Sequence, residues 1–311
     1  MTRHFSMLRL LLAWFTTMVF APVWADGVVH LIASEEGGAY REAADAFRAA
    51  FASSRQVKTW TLSDLDGRQI RALTGENSLL VPIGLKATRA VAEQHGGQAA
   101  VLSLMVPRVS VERLNWPAAL PRRKVSYVYI DQPARRTLGL VAAVFAQARR
   151  VGLMVSGENA EAVRLLQQEA ARRHLSLNLE MVARPEDVAT ALRNLLPESD
   201  VLLLIPDSLA IHAGNAQNVL LTTYRYRVPV VGFSQGLSKA GAVVAGYSSP
   251  AQIGRQGAAM ALRWKPDSGE LPPAQHADDF SIAFNNHVAR SLGVVLPDLG
   301  EVRRKLGADV E

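Results

Sequence analysis

The sequence contains no cysteine in 311 residues. The chain therefore forms no disulfide, and its hydrophobic core alone must hold the fold. No thiol is available as a metal ligand, and no cysteine stands near the N-terminus to carry a lipid. The seven histidines are scattered, and none forms an i, i+4 pair. We therefore expect no metal site.

Phosphate-binding motifs are also absent. The sequence has no G-x-G-x-x-G and no P-loop, so it offers no cradle for a dinucleotide or a triphosphate. We expect no cofactor.

The net charge is modest. The sequence has 34 basic and 28 acidic residues, for a formal charge of +6. The basic residues are dispersed, which argues against a nucleic-acid partner. A hydrophobic content of 49% with 20% charged residues is typical of a globular chain. The length allows one large domain or two medium ones.

The N-terminus has the three parts of a secretory signal peptide. Arg3 and Arg9 provide a positive start, Leu10–Phe20 is a short apolar run, and Val23-Trp24-Ala25 resembles a cleavage site. The alternative is a membrane anchor, but the run is shorter than the roughly 20 residues of a span, and Pro22 interrupts it. We predict that residues 1–25 are removed and that the mature chain is periplasmic.

The rest of the chain alternates strand-like and helix-like stretches. Short aliphatic runs such as Val201–Ile205 indicate strands buried on both faces, and the alternation favours parallel sheets covered by helices. The run Val125–Asp131 ends in an acid, and the helix-like stretch Ala134–Gln147 follows it. The pattern then starts again, which makes this run a seam between two lobes. We expect eleven strands in all: Gly27–Ala33, Val57–Leu62, Ser78–Ile83, Ala99–Met105, Val125–Asp131, Val151–Val155, Leu175–Val182, Val201–Ile205, Val228–Phe233, Val243–Tyr247 and Phe280–Phe284.

The predicted fold class is α/β, with two Rossmann-like parallel-sheet lobes joined by a three-strand hinge. We expect residues 26–124 and 248–275 in the first lobe, and residues 125–247 and 276–311 in the second.

Ligands of open parallel sheets bind beyond the carboxyl ends of the strands. The residues just after the predicted strands are therefore the candidates for a ligand site between the lobes. They are Ser34, Glu35, Gly84, Asp131, Gln132, Ser156, Asp207, Phe233 and Tyr247. For Asp131 and Asp207 the alternative role is a helix N-cap, and for Phe233 it is core packing.

One motif suggests an enzyme. Gly232-Phe-Ser-Gln-Gly236 matches G-x-S-x-G after a buried strand, where the nucleophile of a serine hydrolase lies, and His287 follows it. However, Leu237–Ala242 is too short for the long helix that backs such a nucleophile. We retain a hydrolase with Ser234 as nucleophile as the alternative hypothesis, and otherwise expect no enzyme.

The second half of the chain resembles a known family. The segment Ile282–Pro297, IAFNNHVARSLGVVLP, is similar to the N-x-x-x-A-x-x-L-G ending of ABC transporter substrate-binding proteins with the type I periplasmic-binding fold, with Asn285 in the Asn position. This group includes predicted tryptophan and tyrosine binders. Where the family has Asp-Pro after the seam strand, this chain has Asp131-Gln132-Pro133. Further similar segments are RRVGLM (Arg149–Met154), DVLLLIPD (Asp200–Asp207), VPVV (Val228–Val231), GAVVAGY (Gly241–Tyr247) and IGRQG (Ile253–Gly257).

The resemblance implies a periplasmic solute-binding protein. It would capture a small molecule between its lobes, close on it, and present it to an inner-membrane ABC permease. We expect a monomer. A periplasmic sensor that presents its closed form to a receptor is an equally open use of the same fold.

Overall fold

The computed structural model describes residues 27–308, except residues 54 and 213. The predicted signal peptide, Met1–Ala25, lies outside these residues. Within the described part of the chain, no helix has both the length and the apolar character needed to cross a membrane.

The described chain alternates strands and helices. The strands are β1 (Val28–Ala33), β2 (Val57–Thr61), β3 (Ser78–Ile83), β4 (Ala100–Val106), β5 (Val125–Tyr129), β6 (Arg150–Ser156), β7 (Ser176–Val182), β8 (Val201–Leu203), β9 (Val230–Gly232), β10 (Val244–Tyr247), β11 (Gln275–His276) and β12 (Ser281–Phe284). The α-helices are α1 (Gly38–Ala50), α2 (Gly67–Ala72), α3 (Leu85–Gln94), α4 (Arg108–Val111), α5 (Ala134–Val144), α6 (Ala160–Arg172), α7 (Val188–Leu195), α8 (Ala216–Arg225), α9 (Gln235–Ala240), α10 (Pro250–Leu262), α11 (Asn286–Ser291) and α12 (Leu299–Ala308).

The strands form two six-stranded sheets, and each sheet with its helices is a lobe. The first sheet has the order β11-β5-β4-β3-β1-β2, and all its strands are parallel. In β1, Leu31 packs into the core under α1 and α10, whereas its neighbour Ile32 packs into the core under α2 and α3. Because both faces of this strand are covered, its sequence, VVHLIA, is aliphatic except for the buried His30.

The second sheet has the order β12-β10-β9-β8-β6-β7 and is parallel except for β12, which runs antiparallel to β10. In β8, Leu203 packs toward α5, α6 and α12, and Leu202 packs toward α7 and α8. The two sheets confirm the predicted fold class of two mostly parallel α/β lobes.

Helix α10 packs in the core of the first lobe, and a capping signal in the sequence fixes where it begins. The Ser249 hydroxyl accepts from the Gln252 N–H at 3.1 Å, and the Gln252 side chain accepts from the Ser249 N–H at 2.7 Å. This capping box, followed by Pro250, fixes the first turn. Gly254 then lets α10 approach the backbone of α1, because a Cβ there would overlap the Ala43 carbonyl.

The structure differs from the sequence predictions in three places. The strand Val125–Tyr129, which we expected to open the second lobe, pairs with β4 and so belongs to the first sheet. The two-residue strand Gln275–His276 is not among the eleven predicted strands, but it pairs with β5 at the edge of that sheet. Helix α12, which packs on α5 through buried Val302 and Leu306, was not predicted. The seam therefore follows β5 instead of preceding it.

Three segments cross between the sheets. They are residues 130–133 after β5, residues 248–249 after β10, and residues 277–280 between β11 and β12. We call these segments the hinge crossings.

Candidate functional site

A cavity of about 300 Å³ lies where the lobes meet. Its volume is at the lower end of the range of small-molecule sites. Its walls come from α4 of the first lobe, from the hinge crossings, and from α5, α6 and the strand ends of the second lobe. Residues that line it include Arg108, Glu112, Asp131, Gln132, Arg136, Leu140, Glu158, Glu161, Ala162, Leu166, Leu204, Pro206, Phe233, His276 and Phe280.

A hydrogen-bond chain ties the three hinge crossings together beside this cavity. The Gln132 side-chain amide donates to the Ser248 hydroxyl at 3.0 Å, and that hydroxyl donates to the Asp279 carbonyl at 2.8 Å. The three residues belong one to each crossing. Ser248 is buried, so both of its bonds form away from water. This chain limits how far the crossings can separate as the lobes move.

Arg136, in the first turn of α5, reinforces the same junction. Its guanidinium donates to the side-chain amide oxygen of Gln132 at 2.7 Å and to the backbone carbonyls of Ala277 and Asp278 at 3.1 and 3.0 Å. It also lies over the Phe280 ring, 4.3 Å from the ring centre. Both polar groups of Gln132 are thus used at the hinge.

Asp131 lies at the base of the cleft. Its carboxylate accepts the Arg108 backbone N–H at 2.7 Å, and its backbone carbonyl accepts from His276 Nδ1 at 2.9 Å. Burial raises the pKa of the Asp131 carboxyl, and the Arg108 N–H opposes that rise. Burial likewise lowers the pKa of His276, although the bond to the Asp131 carbonyl opposes it. Within the described residues, no cationic side chain forms an ion pair with this carboxylate.

Two charge pairs cross the mouth of the cleft. Arg113 of the first lobe contacts Glu158 of the second, and the Ser208 hydroxyl donates to the other Glu158 oxygen at 3.0 Å. Arg108 lies 4.0 Å from Glu161 at the start of α6. These pairs hold the two rims together in this structure.

The structure brings three of the nine predicted site residues to the cavity: Asp131, Gln132 and Phe233. The other six, Ser34, Glu35, Gly84, Ser156, Asp207 and Tyr247, lie at or just after the ends of their strands but do not line it.

In the first lobe, Ser34, Glu35 and Gly84 form one connected group. The Ser34 hydroxyl donates to the Ile83 carbonyl at 2.8 Å and accepts the Ala87 N–H at 3.0 Å. It therefore joins β1 to β3 and to the first turn of α3. Glu35 pairs with Lys86 at 2.5 Å on the surface. Gly84 has a φ of +92°, and a Cβ there would lie 2.6 Å from the Ser34 hydroxyl.

In the second lobe, Asp207 organises a loop. Its carboxylate accepts from the N–H and the hydroxyl of Ser156 at 2.7 and 2.9 Å, from the Asn159 amide at 2.7 Å, and from the N–H groups of Leu209 and Ala210 at 2.9 and 2.8 Å. Burial alone would raise the pKa of Asp207, but these donors lower it below the usual range. The carboxylate is thus occupied by the fold, as is the Ser156 hydroxyl.

Tyr247 ends β10 and is half-buried. Burial raises the pKa of its phenol, and the nearby Glu42 carboxylate adds to the rise.

Ser234, the candidate hydrolase nucleophile, is the N-cap of α9. Its hydroxyl accepts the Leu237 N–H at 3.2 Å. No histidine of the described chain forms a hydrogen bond with it. Nor do the described residues include a group of three or more His, Asp or Glu side chains placed to hold a metal ion.

Sequence reasoning missed several cavity residues, among them Arg108, Glu158, His276 and Phe280. The rule about strand ends applies to Arg108, which follows β4 and Pro107, but Arg108 lies three residues beyond Met105, the predicted end of that strand. His276 and Phe280 lie in the third hinge crossing or beside it, and only the pairing of β11 reveals that crossing.

The model of one protein family, described as ABC transporter substrate binding protein, matches residues 68–303. No curated protein matches the chain.

Solved structures share the fold at low sequence identity. A ligand-free, open substrate-binding protein with adhesive properties from Clostridium difficile is 16% identical, with a TM-score of 0.66 over 88% of this chain and 97% of that one. A conserved domain protein from Vibrio cholerae is 19% identical, with a TM-score of 0.62 over 90% and 98%. An ABC domain from Streptococcus pneumonia, solved in complex with L-Trp, is 14% identical, with a TM-score of 0.62 over 89% and 98%.

Proposed function

Because this chain belongs to the family of ABC transporter substrate-binding proteins, we propose that it captures a small solute in the cavity between its lobes and delivers it to an ABC-type importer. The observation that carries the proposal is the position of the cavity. It lies at the hinge crossings and has walls from both lobes, so a bound solute would contact both halves and favour their closure.

Asp131 is the residue we propose as the polar anchor for the solute. Its carboxylate is at the base of the cleft and forms no ion pair with a side chain of the described residues, so it can accept hydrogen bonds from an amine or a hydroxyl. Phe233 provides an apolar surface in the same cavity. The Streptococcus protein of similar fold holds L-Trp, a solute that carries both an amine and an aromatic ring.

We propose that Gln132 acts at the same site through the hinge. Its amide is bonded to Ser248 and to Arg136, so it supports the crossings that the closing lobes must bend. The remaining predicted site residues, on the strand ends of the two lobes, would shape the rims of the cleft.

The proposed setting is the periplasm, reached through a cleaved signal peptide, and the proposed partner is an inner-membrane permease that reads the closed form. The protein would work as a monomer and without nucleic acid. A thermal-shift screen of the mature chain against amino acids, nucleosides and small osmolytes tests the capture step. We expect a subset of chemically related solutes to raise the melting temperature, and a flat response across the panel would contradict the proposal.

The family is one of binding proteins, and we propose that this chain catalyses no reaction. The Ser234 hydroxyl already caps α9, and no histidine or carboxylate of the described chain forms a hydrogen bond with it. A fluorophosphonate probe should therefore leave Ser234 unlabelled in the folded protein, with a known serine hydrolase as the positive control. Stoichiometric labelling of Ser234 would restore the hydrolase hypothesis.

A further inference from the structure

The cavity extends beyond the cleft into the second lobe. Five aliphatic residues of its wall are almost fully buried: Leu140, Leu166, Leu204, Val231 and Leu306. They come from α5, α6, the end of β8, β9 and α12. Four of them, all except Leu204, belong to the hydrophobic core between the second sheet and its helices. The cavity therefore enters that core.

The shape of this extension follows α6. Wall residues recur along one face of the helix, from the preceding turn to its last residue: Glu158, Glu161, Ala162, Leu165, Leu166, Glu169 and Arg172. At about 1.5 Å of rise per residue, this face is roughly 20 Å long. The space is therefore elongated, and it begins at the cleft, where Glu158 and Glu161 meet the first lobe.

The middle of this face is apolar. Ala162, Leu165 and Leu166 lie on it, opposite Leu140 of α5. Protein cores are normally packed with few voids larger than a water molecule, and voids lined by aliphatic side chains exclude water and accept apolar ligands. A space of this kind that opens to the cleft suits the hydrocarbon part of a ligand.

The polar end of the same space is at the hinge. There Asp131 presents a carboxylate that forms no ion pair among the described residues, although the charge of Arg108 also acts on it. A ligand that places an ammonium group there would neutralise a half-buried charge and would aim its remaining atoms at the interior of the second lobe.

We propose that the solute is an amphipathic organic cation: an ammonium head group bound at Asp131 and an unbranched hydrocarbon chain inserted along α6. This inference rests on the proposed function and names the chemical class of its ligand. The length of the alkyl chain would be limited by the end of the apolar wall, where Glu169 and the exposed Arg172 follow Leu165 and Leu166 along α6.

A series of n-alkylammonium ions, from butyl to decyl, tests whether the hydrocarbon part of the ligand is buried in the cavity. Titration calorimetry of the mature protein should show affinity rising by roughly fourfold for each added methylene, as expected for complete burial, until the chain fills the cavity. Beyond that length the affinity should level off. An n-alkyl carboxylate of equal length should bind at least tenfold more weakly, because its head group repels Asp131.

Two matched variants test whether the hydrocarbon part of the ligand lies along α6. Ala162 and Ala171 lie on opposite faces of α6, nine residues apart, and only Ala162 lines the cavity. Ala162→Trp should abolish the dependence of affinity on chain length, whereas Ala171→Trp, on the exposed face, should leave it intact. Asp131→Asn keeps an acceptor for the Arg108 N–H. It should weaken every member of the series by the same factor, tenfold or more, without changing the gain per methylene.

The outcomes separate this inference from the proposed function. If compact solutes of the thermal-shift panel bind but affinity is independent of alkyl length, the chain proposal is wrong and solute capture stands. A length dependence that persists unchanged in Ala162→Trp would also overturn it, since the chain would then lie elsewhere. If neither compact solutes nor alkylammonium ions bind, the proposed function itself fails.

Discussion

The ion pair between Arg113 and Glu158 gives a quantitative prediction about the opening of the cleft, because it is made only when the rims approach. Glu158→Gln removes the charge but keeps an acceptor for the Ser208 hydroxyl, which donates to it at 3.0 Å. The Glu158 side chain is 26% exposed and that of Arg113 is 59% exposed, so solvent screens the pair. Pairs of this kind contribute about 0.2–1 kcal/mol. Without ligand, the ratio of open to closed molecules should therefore rise by a factor of roughly 1.4 to 5.

The second pair, Arg108–Glu161, should contribute less. Its nitrogen–oxygen distance is 4.0 Å, and Glu161 also pairs with Arg164 at 2.7 Å. Of these two pairs, Arg113–Glu158 should therefore provide most of the electrostatic stabilisation of the closed form. Added salt should reduce the difference between wild type and variant, because the Debye length falls from about 10 Å at 0.1 M to about 3 Å at 1 M.

Single-molecule fluorescence transfer between the lobes measures this ratio. The chain has no native cysteine, so dyes can be attached through Arg89→Cys on α3 and Gln235→Cys on α9, both exposed. Glu301→Gln is the matched control, since Glu301 pairs with Lys305 at 2.8 Å inside the second lobe. An unchanged ratio in Glu158→Gln, or an equal change in Glu301→Gln, would refute the reasoning.

Three further predictions concern the first lobe and the hinge. Burial, aided by Lys58, lowers the pKa of His30 from 6.5 to about 4. As the pH falls from 6.5 to 4, the unfolded chain binds a proton at this histidine before the folded chain does, so the free energy of unfolding should fall by up to roughly 3 kcal/mol. In urea titrations at several pH values, His30→Gln should reduce this dependence of the free energy of unfolding on pH. Gly84 has a φ of +92° and no room for a Cβ, so Gly84→Ala should lower the free energy of unfolding by about 1–3 kcal/mol in the same urea titrations. A Cβ at Gly75 would meet nothing within 4 Å, so Gly75→Ala should lower it far less. Equal losses of stability in the two variants would contradict the steric argument. Ser248→Ala removes the hydroxyl shared by the three hinge crossings and should speed hydrogen exchange at them, whereas unchanged exchange would mean that this bond does not hold the hinge.

The order and number of the strands could largely be predicted, because strands buried on both faces leave aliphatic runs such as Val201–Leu203 in the sequence. The sheet that each strand joins could not be predicted from its sequence. Val125–Tyr129 has the composition to pair with either neighbour, and only its register with β4 decides the matter. Gln275–His276 carries no strand signal at all, since it is defined by two pairings at a sheet edge.

The same limit applies to the site. Counting from strand ends located Asp131, Gln132 and Phe233, because topology brings those positions to one edge. It could not show that Asp207 is already surrounded by donors from Ser156, Asn159 and its own loop, since those donors converge only in three dimensions. Residues of the third hinge crossing, such as Phe280, were missed for the same reason.

A crystal structure of the mature chain with a solute that raises its melting temperature tests the central claim most directly. The account predicts density for that solute between the lobes, in contact with the Asp131 carboxylate and the Phe233 ring. Density for the solute on an outer face of either lobe, with the cavity at the hinge unfilled, would contradict it.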